Sequence, residues 1–222
     1  MDTLRVEFHC HTIFSKDSLT RPARLVEAAR KKGLERVVVT DHNTIAGALR
    51  AHQIDPEHMI VGEEIMTTRG EILAAFVVEE IPARLTPQET IRRLREQGAF
   101  ISVSHPFDSL RNGRWALPDL LEIAPLVDAI ETFNARCVSP DDNRRAQEFA
   151  RQHGLAGTVG SDAHALLELG RASLTLEYFN DADGLRRVIG RGQAQTRLSS
   201  PLIHLTSRFA RIVKSLGGGK SY

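Results

Sequence analysis

The sequence predicts an α/β fold in which short strands alternate with helices, and it favours a barrel over an open sheet. The chain has 222 residues, which suits a single α/β barrel of roughly 200–250 residues. Apolar runs such as residues 36–40 alternate with helical patterns, which is typical of repeated strand–helix units and a mostly parallel sheet. No glycine-rich loop follows the first predicted strand, where a nucleotide-binding open sheet would carry one.

The elements follow in order along the chain. Thr20 is placed to cap the first helix, with Pro22 in its first turn and Gly33 at its end. Thr86 and Glu89 have the spacing of a capping box. Strands are predicted over residues 4–8, 36–40, 59–61, 71–78, 99–104, 129–133, 155–159 and 172–176. Further helices are predicted over residues 44–53, 86–97, 142–153 and 181–191.

The C-terminal stretch is predicted to be a basic amphipathic helix. Residues 207–216 place Phe209, Ile212, Val213 and Leu216 on one face, with basic residues among the rest. This helix either packs its apolar face on the barrel or forms a basic edge for a phosphate-rich substrate. The sequence therefore divides into a barrel domain over residues 1–198 and a helix with a flexible tail over residues 199–222.

Composition narrows the class of protein. Lys and Arg total 29 against 28 Asp and Glu, a net charge of +1, so the whole chain is not a polycation built for nucleic acid. No apolar run approaches the roughly 20 residues of a membrane helix, and the N-terminus does not resemble a signal peptide. Two cysteines and no export signal favour a cytoplasmic protein with reduced thiols. No membrane contact and no obligate protein partner are expected.

Histidines and carboxylates follow the predicted strands at the ends where barrel active sites form. His9 and His11 are alternate residues of one strand, so their side chains point to one face. The other candidates lie in four further motifs, TDHN, GEE, SHP and GSDAH, and just after the first strand: Asp17, His42, Glu64, His105, Asp162 and His164.

Imidazoles and carboxylates together suit Zn²⁺, Mn²⁺ or iron. The set exceeds what one ion needs, so two or three divalent ions that share ligands are predicted. Paired ions stabilise the attacking and leaving oxygens in phosphoryl transfer and provide hydroxide near neutral pH. The pattern therefore predicts hydrolysis of a phosphate ester.

The ordered series HxH, DHN, G-x-E, SHP and GSDAH resembles the PHP family, the polymerase and histidinol phosphatase domain, from about Arg5 to Leu176. The resemblance implies a distorted seven-stranded (β/α) TIM-like barrel with the ions in its mouth. It also implies a metal-dependent phosphoesterase, in which a metal-bound hydroxide attacks a phosphate mono- or diester.

The resemblance assigns ligands and catalytic roles by position. His9, His11, Glu64 and Asp162 would hold one ion, and Glu64 would bridge to a second ion at His105. Asp17, His42 and His164 would hold a third. Glu64, Asp162 and His164 are the expected catalytic residues, and Glu63 is expected to point away from the site.

One position departs from the family pattern. Many members carry a His on the strand after G-x-E, where this chain has Leu73. Glu71 lies two residues earlier on the same strand face and is a candidate replacement. Otherwise the second ion keeps an open position, or only two ions bind.

Phosphate binding needs cationic or donor groups. Arg136 is the first candidate because its planar fork suits phosphate oxygens, and Asn134 lies in the same loop. Lys16, beside Asp17, is the second candidate, and Arg111 and Arg114 are the third. Each of these cations could instead be a solvated surface charge.

The sequence leaves other functions open besides phosphoester hydrolysis. An amidohydrolase also uses HxH, but many of those enzymes need a mid-barrel lysine, and no lysine lies between residues 33 and 213. A metal-free PHP scaffold module is a non-enzymatic alternative. Within phosphoesterases, a nucleotide or the 5′ end of a short oligonucleotide is favoured over histidinol phosphate or a similar small phosphorylated molecule.

Overall fold

A computed structural model describes residues 3–111 and 113–216. Its centre is a nine-stranded sheet with the order β7-β6-β5-β4-β3-β2-β1-β8-β9. The strands are β1 (Thr3–Cys10), β2 (Arg36–Val39), β3 (Met59–Met66), β4 (Glu71–Ala75), β5 (Phe100–Val103), β6 (Ala129–Asn134), β7 (Ala156–Gly160), β8 (Ala172–Glu177) and β9 (Gln193–Thr196).

Seven α-helices connect or flank the strands in the described part of the chain. They are α1 (Pro22–Lys31), α2 (Ala46–Ile54), α3 (Pro87–Glu96), α4 (Leu117–Ile123), α5 (Pro140–His153), α6 (Ala182–Val188) and α7 (His204–Leu216). The predicted cap of α3 is present, since the Thr86 side chain accepts a hydrogen bond from the Glu89 amide. None of these helices has both the length and the apolar composition that crossing a bilayer requires.

The sheet curves into a nearly closed barrel. The upper end of β1 meets the segment after β7, where His11 N donates to Ala163 O at 2.8 Å and Cys10 bridges Ala163 in parallel. The lower half of β1 instead pairs antiparallel with β8, which in turn pairs with β9. The predicted α/β barrel is confirmed, but the sheet holds nine strands rather than seven.

The prediction of a mostly parallel sheet is wrong. Strand β4 runs antiparallel to both of its neighbours, β3 and β5, and β8 and β9 add two more antiparallel pairs. The link between β3 and β4 is a short turn in which Thr67 N donates to Gly70 O at 2.9 Å. A parallel pair would have needed a crossover of a dozen or more residues.

The barrel's outer layer buries the apolar faces of the helices. Strand β2 is buried along its whole length, as a strand covered on both faces should be. Leu25 of α1 and Leu94 of α3 are at most 1% exposed. This packing fixes the strands, and therefore fixes the positions of the side chains that project from their upper ends.

Helix α7 packs with a different face from the one predicted. Phe209, Ile212 and Leu216 are exposed, whereas Ser207 and Ala210 face the barrel. The expectation that the apolar residues of this helix cover the barrel is therefore wrong. The division of the chain at residue 198 stays a prediction, and the flexible tail predicted after residue 216 lies outside the described residues.

Candidate metal centre

The polar side chains at the upper ends of the strands converge on one buried cluster. The cluster comprises His9 and His11 at the end of β1, Asp17 and His42 in loops, Glu64 and Glu71 on β3 and β4, His105 after β5, and Asp162 and His164 after β7. All nine are buried or nearly so, and His42 is the most exposed side chain that ion-pairs within the cluster, at 15%.

Glu64 lies at the middle of this cluster. Its Oε2 atom is 2.9 Å from His42 Nδ1, 3.3 Å from His9 Nε2 and 3.5 Å from His11 Nε2. Its Oε1 atom is 3.1 Å from His105 Nε2. One carboxylate thus faces four imidazoles, which is the position of a ligand shared between two ions.

Asp162 and Asp17 form the second half of the cluster. Asp162 Oδ1 lies 3.2 Å from His11 Nε2 and 3.3 Å from His164 Nδ1. Asp17 Oδ1 lies 3.3 Å from His164 Nε2 and 3.6 Å from His42 Nε2. His11, His42 and His164 present ligand atoms within 4.8 Å of one another.

The donor set fits divalent cations. Buried polar atoms almost always find a hydrogen-bond partner, yet several inward-facing atoms here have none. These atoms are His9 Nε2, His11 Nε2, Asp17 Oδ1, Glu64 Oε2 and Asp162 Oδ1. Imidazole nitrogens and carboxylate oxygens that share one buried centre are ligands for Zn²⁺, Mn²⁺ or iron.

Glu131 of β6 supports this centre from behind and was not identified from the sequence. His9 Nδ1 donates to Glu131 Oε1 at 3.0 Å, so the Nε2 lone pair of His9 faces the cluster. Glu131 Oε2 accepts from His105 N at 2.8 Å and from Asn134 Nδ2 at 3.1 Å. Carboxylates that hold a ligating histidine in this way raise its basicity and fix its orientation.

Ser15 supports the other histidine of the pair. Its hydroxyl donates to Asp41 Oδ1, so it can only accept from His11 Nδ1, which lies 3.2 Å away. It also accepts from the amide of His42 at 3.1 Å. His11 Nδ1 therefore carries the proton, and Nε2 is free to bind a cation.

The charges of the cluster are mutually stabilised. Burial alone would lower the pKa of His9, but Glu64, Asp162 and Glu131 outweigh it and raise that pKa well above its usual value. Burial would raise the pKa of Glu64, yet His9 and His42 hold it well below its usual range. Burial and the neighbouring histidines lower the pKa of His11. A cation bound here would take the place of the proton on His9 Nε2, because only the neutral imidazole can act as a ligand.

The two glutamates of the GEE motif face opposite ways. Glu63 Oε2 accepts from Ile81 N at 3.0 Å, away from the cluster, while Glu64 faces inward. Glu71 joins the cluster, with Oε2 3.5 Å from His105 Nε2, and its ligand atom groups with those of His42 and Glu64. Burial and Glu64 raise the pKa of Glu71.

The predicted substrate-binding residues lie in different environments. Arg136 is 4% exposed, with Nε 2.9 Å from Glu168 Oε1 and Nη1 2.8 Å from His164 Nδ1. Asn134 Nδ2 donates to Asp162 Oδ2 at 3.3 Å. Lys16 is exposed beside the cluster. Substrate contact by these three residues stays a prediction, and the contacts of Arg136 favour a positioning role toward His164.

Arg111 reaches the cluster from the loop after His105. Its Nη2 atom contacts Asp162 Oδ2, and its Nε atom lies 3.4 Å from Asp108 Oδ2. The side chain is 20% exposed, so the guanidinium touches both solvent and the cluster. The sequence had already indicated Arg111 as a candidate phosphate ligand, because it lies in a Gly-containing loop after His105.

Two backbone features let the strands bring these groups together. Asp162 has φ 51°, in the left-handed region that only Gly, Asn and Asp commonly occupy. A Cβ atom at Gly160 would lie 2.3 Å from Glu131 Oε1 and 2.5 Å from the Cβ of His9. Only glycine allows β7 to approach both groups so closely.

Comparison with known proteins agrees with this fold. The PHP domain profile matches residues 7–72, and a PHP-associated profile matches residues 140–194. An uncharacterised protein of Methanocaldococcus jannaschii is 37% identical over 180 residues, covering 80% of this chain and 72% of that protein.

Two solved structures share the fold. One is a two-domain protein of Bacteroides vulgatus containing a predicted PHP-like metal-dependent phosphoesterase. It has a TM-score of 0.70 at 21% identity, over 88% of this chain and 65% of that one. The other is a lesion-specific endonuclease of Pyrococcus furiosus, with a TM-score of 0.56 at 17% identity, over 86% of this chain and 56% of that one.

The fold and the cluster define an α/β barrel with a candidate multinuclear metal centre at the ends of its strands. Within that class, the chain belongs to the PHP family.

Proposed function

We propose that this protein is a metal-dependent phosphoesterase that hydrolyses a phosphate mono- or diester. The observation that carries this proposal is the convergence of unpartnered imidazole and carboxylate atoms on one buried centre. A hydrophobic or hydrogen-bonded core would not leave so many polar atoms unpaired. In a metal-free scaffold, these unpaired atoms would lower the stability of the fold without any compensating interaction.

The ligands divide into overlapping sets that suit two or three ions. Glu64 belongs to two of them, and Glu71 is a candidate ligand where Leu73 stands in place of the family's histidine. The proposed sets are His9, His11, Glu64 and Asp162; Glu64, His105 and Glu71; and Asp17, His42 and His164. Divalent ions held here supply Lewis acidity and lower the pKa of bound water.

Side chains of this chain would bind and orient the substrate phosphate. Arg111 is placed for this role, because its guanidinium contacts Asp162 and remains 20% exposed to solvent. Lys16 adds an exposed cation at the rim. Asn134 and His164, which lie against Asp162, would orient the reacting groups, and Arg136 would fix the ring of His164.

The favoured substrate is a nucleotide or the 5′ end of a short oligonucleotide. The connection from β3 to β5 holds only β4, α3 and short loops, so no large lid domain is inserted there. The mouth also carries arginine and lysine side chains that suit more than one phosphate. A nuclease among the proteins of the same fold is consistent with this substrate class.

One panel of measurements tests the function. Protein purified without chelator is analysed for metals by mass spectrometry and then incubated with an aryl phosphate, 5′-nucleotides and 5′-phosphorylated oligonucleotides. We expect about two or three bound divalent ions per chain and hydrolysis of phosphate esters. The variant His9→Ala should lose metal and turnover, because Nε2 of His9 points at Glu64 from 3.3 Å.

The matched control is His153→Ala, on the exposed end of α5, which should keep both metal and turnover. Wild-type protein that is loaded with metal but hydrolyses none of these esters would contradict the proposal. Full activity in His9→Ala would contradict the assignment of the site.

A further inference from the structure

Helix α7 is attached directly to the rim of the metal centre, although the two family profiles match only residues 7–72 and 140–194. Lys214 Nζ donates to the carbonyl oxygens of Ile13 and Ser15, in the loop that leads to Asp17. These contacts hold the last turn of the helix against a loop that carries part of the cluster.

A second attachment passes through Arg136. Its Nη2 atom donates to Ser207 Oγ of α7 at 2.8 Å, while its Nη1 atom lies 2.8 Å from His164 Nδ1. Helix α7 is thus linked to the cluster from two sides. It forms part of the wall of the mouth rather than a separate appendage.

Arg211 brings one exposed cation of α7 to the mouth. Arg211 Nη2 lies 3.7 Å from Asp17 Oδ2, and its side chain is still 55% exposed. Arg208 is one turn earlier on the same flank of the helix and is also exposed. Phe209 and Leu216 are exposed, whereas Ser207 and Ala210 are buried. Phe209 borders a groove that Leu19 and Leu167 also line.

Charge is strongly segregated along the chain. Residues 184–222 contain eight Lys and Arg and no Asp or Glu, so all 28 acidic residues lie in the first 183 positions. Within the described residues of α7, the pair Arg211–Asp17 is the only ion pair. Three of these eight cations, Arg208, Arg211 and Lys214, lie on α7, whereas Arg186 contacts the carbonyls of Gly98 and Ala99 before β5, at the other end of the barrel. The cations of α7, with no acidic residue among them, are the part of this segment that would attract a polyanion to the mouth.

We propose that α7 binds the backbone phosphates of a nucleic-acid strand whose terminal phosphate enters the metal centre. This inference rests on the proposed function and deepens it by selecting a strand over a single phosphorylated molecule. A single phosphate bound by Arg111 would give Arg208 and Arg211 no phosphate to bind. A strand supplies further phosphates along the same flank, and Arg suits each of them through its fork of donors.

The test is strand binding by the full-length double variant R208A/R211A. The probe is a single-stranded phosphorothioate 12-mer with a 5′-phosphate and a 3′-fluorescein, followed by anisotropy at several salt concentrations. We expect binding about tenfold weaker than wild type, and a slope of log Kd against log salt smaller by about 1.4, as for two lost phosphate contacts on a single strand. The control R144A/R151A removes two exposed cations from α5 and should bind like wild type.

Wild-type affinity and slope in R208A/R211A would overturn the inference. A wild type that binds phosphatidylserine vesicles through α7 but not the 12-mer would overturn it too, because the exposed apolar face would then be the functional one. If the double variant unfolds early in a thermal scan, Arg208→Gln replaces it, with an expected slope change of about 0.7.

Binding of this probe needs no hydrolysis. If the ester panel fails while the double variant still loses strand binding, the proposed function falls and the strand site stands. If esters are hydrolysed and strand binding is unchanged in the double variant, the proposed function stands and the strand site falls.

Discussion

At the scale of single residues, the candidate ligands depend on groups that never face the ions. Glu131 holds His9 through Nδ1, and Ser15 holds His11 in the same way. Each partner selects the tautomer that leaves Nε2 free. The metal affinity of the centre is therefore set partly by residues behind the histidines.

Replacing Glu131 by Gln tests this dependence. The amide removes the charge behind His9, and its NH₂ group would face the donors His105 N and Asn134 Nδ2 if its oxygen kept the contact with His9. We expect a loss of about 10–100-fold in metal affinity, typical for such outer partners. Competition with a chelator for Zn²⁺ or Mn²⁺ measures it. Glu148→Gln, on the surface of α5, is the control, and equal affinities in the two variants would contradict the role of Glu131.

Several members of the cluster could be predicted from the sequence because they lie in short motifs at strand ends. HxH placed His9 and His11 on one face, and the structure brings them to one cluster. Glu131 could not be found in this way, since it lies inside the predicted strand 129–133 with no neighbouring motif. Its only signal was a carboxylate in the middle of an apolar strand, which burial makes costly unless it has a partner.

At the scale of elements, the position of β7 against β1 and β6 determines the site. The contact is close because residue 160 has no side chain. Any larger residue would push β7 away from His9 and Glu131, and the segment carrying Asp162 would move with it.

The variant Gly160→Ala should therefore be destabilised as an overpacked core is, by about 1–3 kcal/mol, and should also bind metal more weakly. Urea unfolding of both proteins under the same metal concentration measures the first effect. Gly190→Ala is a matched control, because a Cβ there would meet no atom within 4 Å. If Gly160→Ala and Gly190→Ala unfold at the same urea concentration, β7 can move without a loss of stability.

Strand and helix positions were largely predictable, whereas strand direction was not. Residues 71–78 were predicted as a strand, of which β4 covers the first five, and their sequence does not show that β4 runs antiparallel to both neighbours. Strand β9 was missed because its four residues are all exposed and polar or small, so it lacks the alternation that marks a half-buried strand. Tertiary pairing, rather than local pattern, determines both features.

At the scale of the whole molecule, the metal centre joins the ends of many strands. Residues from β1, β3, β4 and the segments after β5 and β7 meet there, so bound ions would act as cross-links between distant parts of the chain. Ligands that bind only the folded state stabilise it by mass action, by about 4 kcal/mol at a thousand times the dissociation constant. The stability of this fold should therefore depend strongly on metal.

Removing the metal with a chelator should lower the thermal midpoint, and adding Zn²⁺ or Mn²⁺ back should restore it. Asp162→Asn should reduce this metal-dependent shift to less than half. Asn tolerates the left-handed backbone at this position, so the lost charge at Oδ1, 3.2 Å from His11 Nε2, is the main change. Asp183→Asn, whose side chain is 75% exposed, should keep the full shift. A midpoint that is unaffected by chelation in the wild type would mean that the cluster folds without ions, its carboxylates neutralised by the surrounding imidazolium groups and by Arg111 alone.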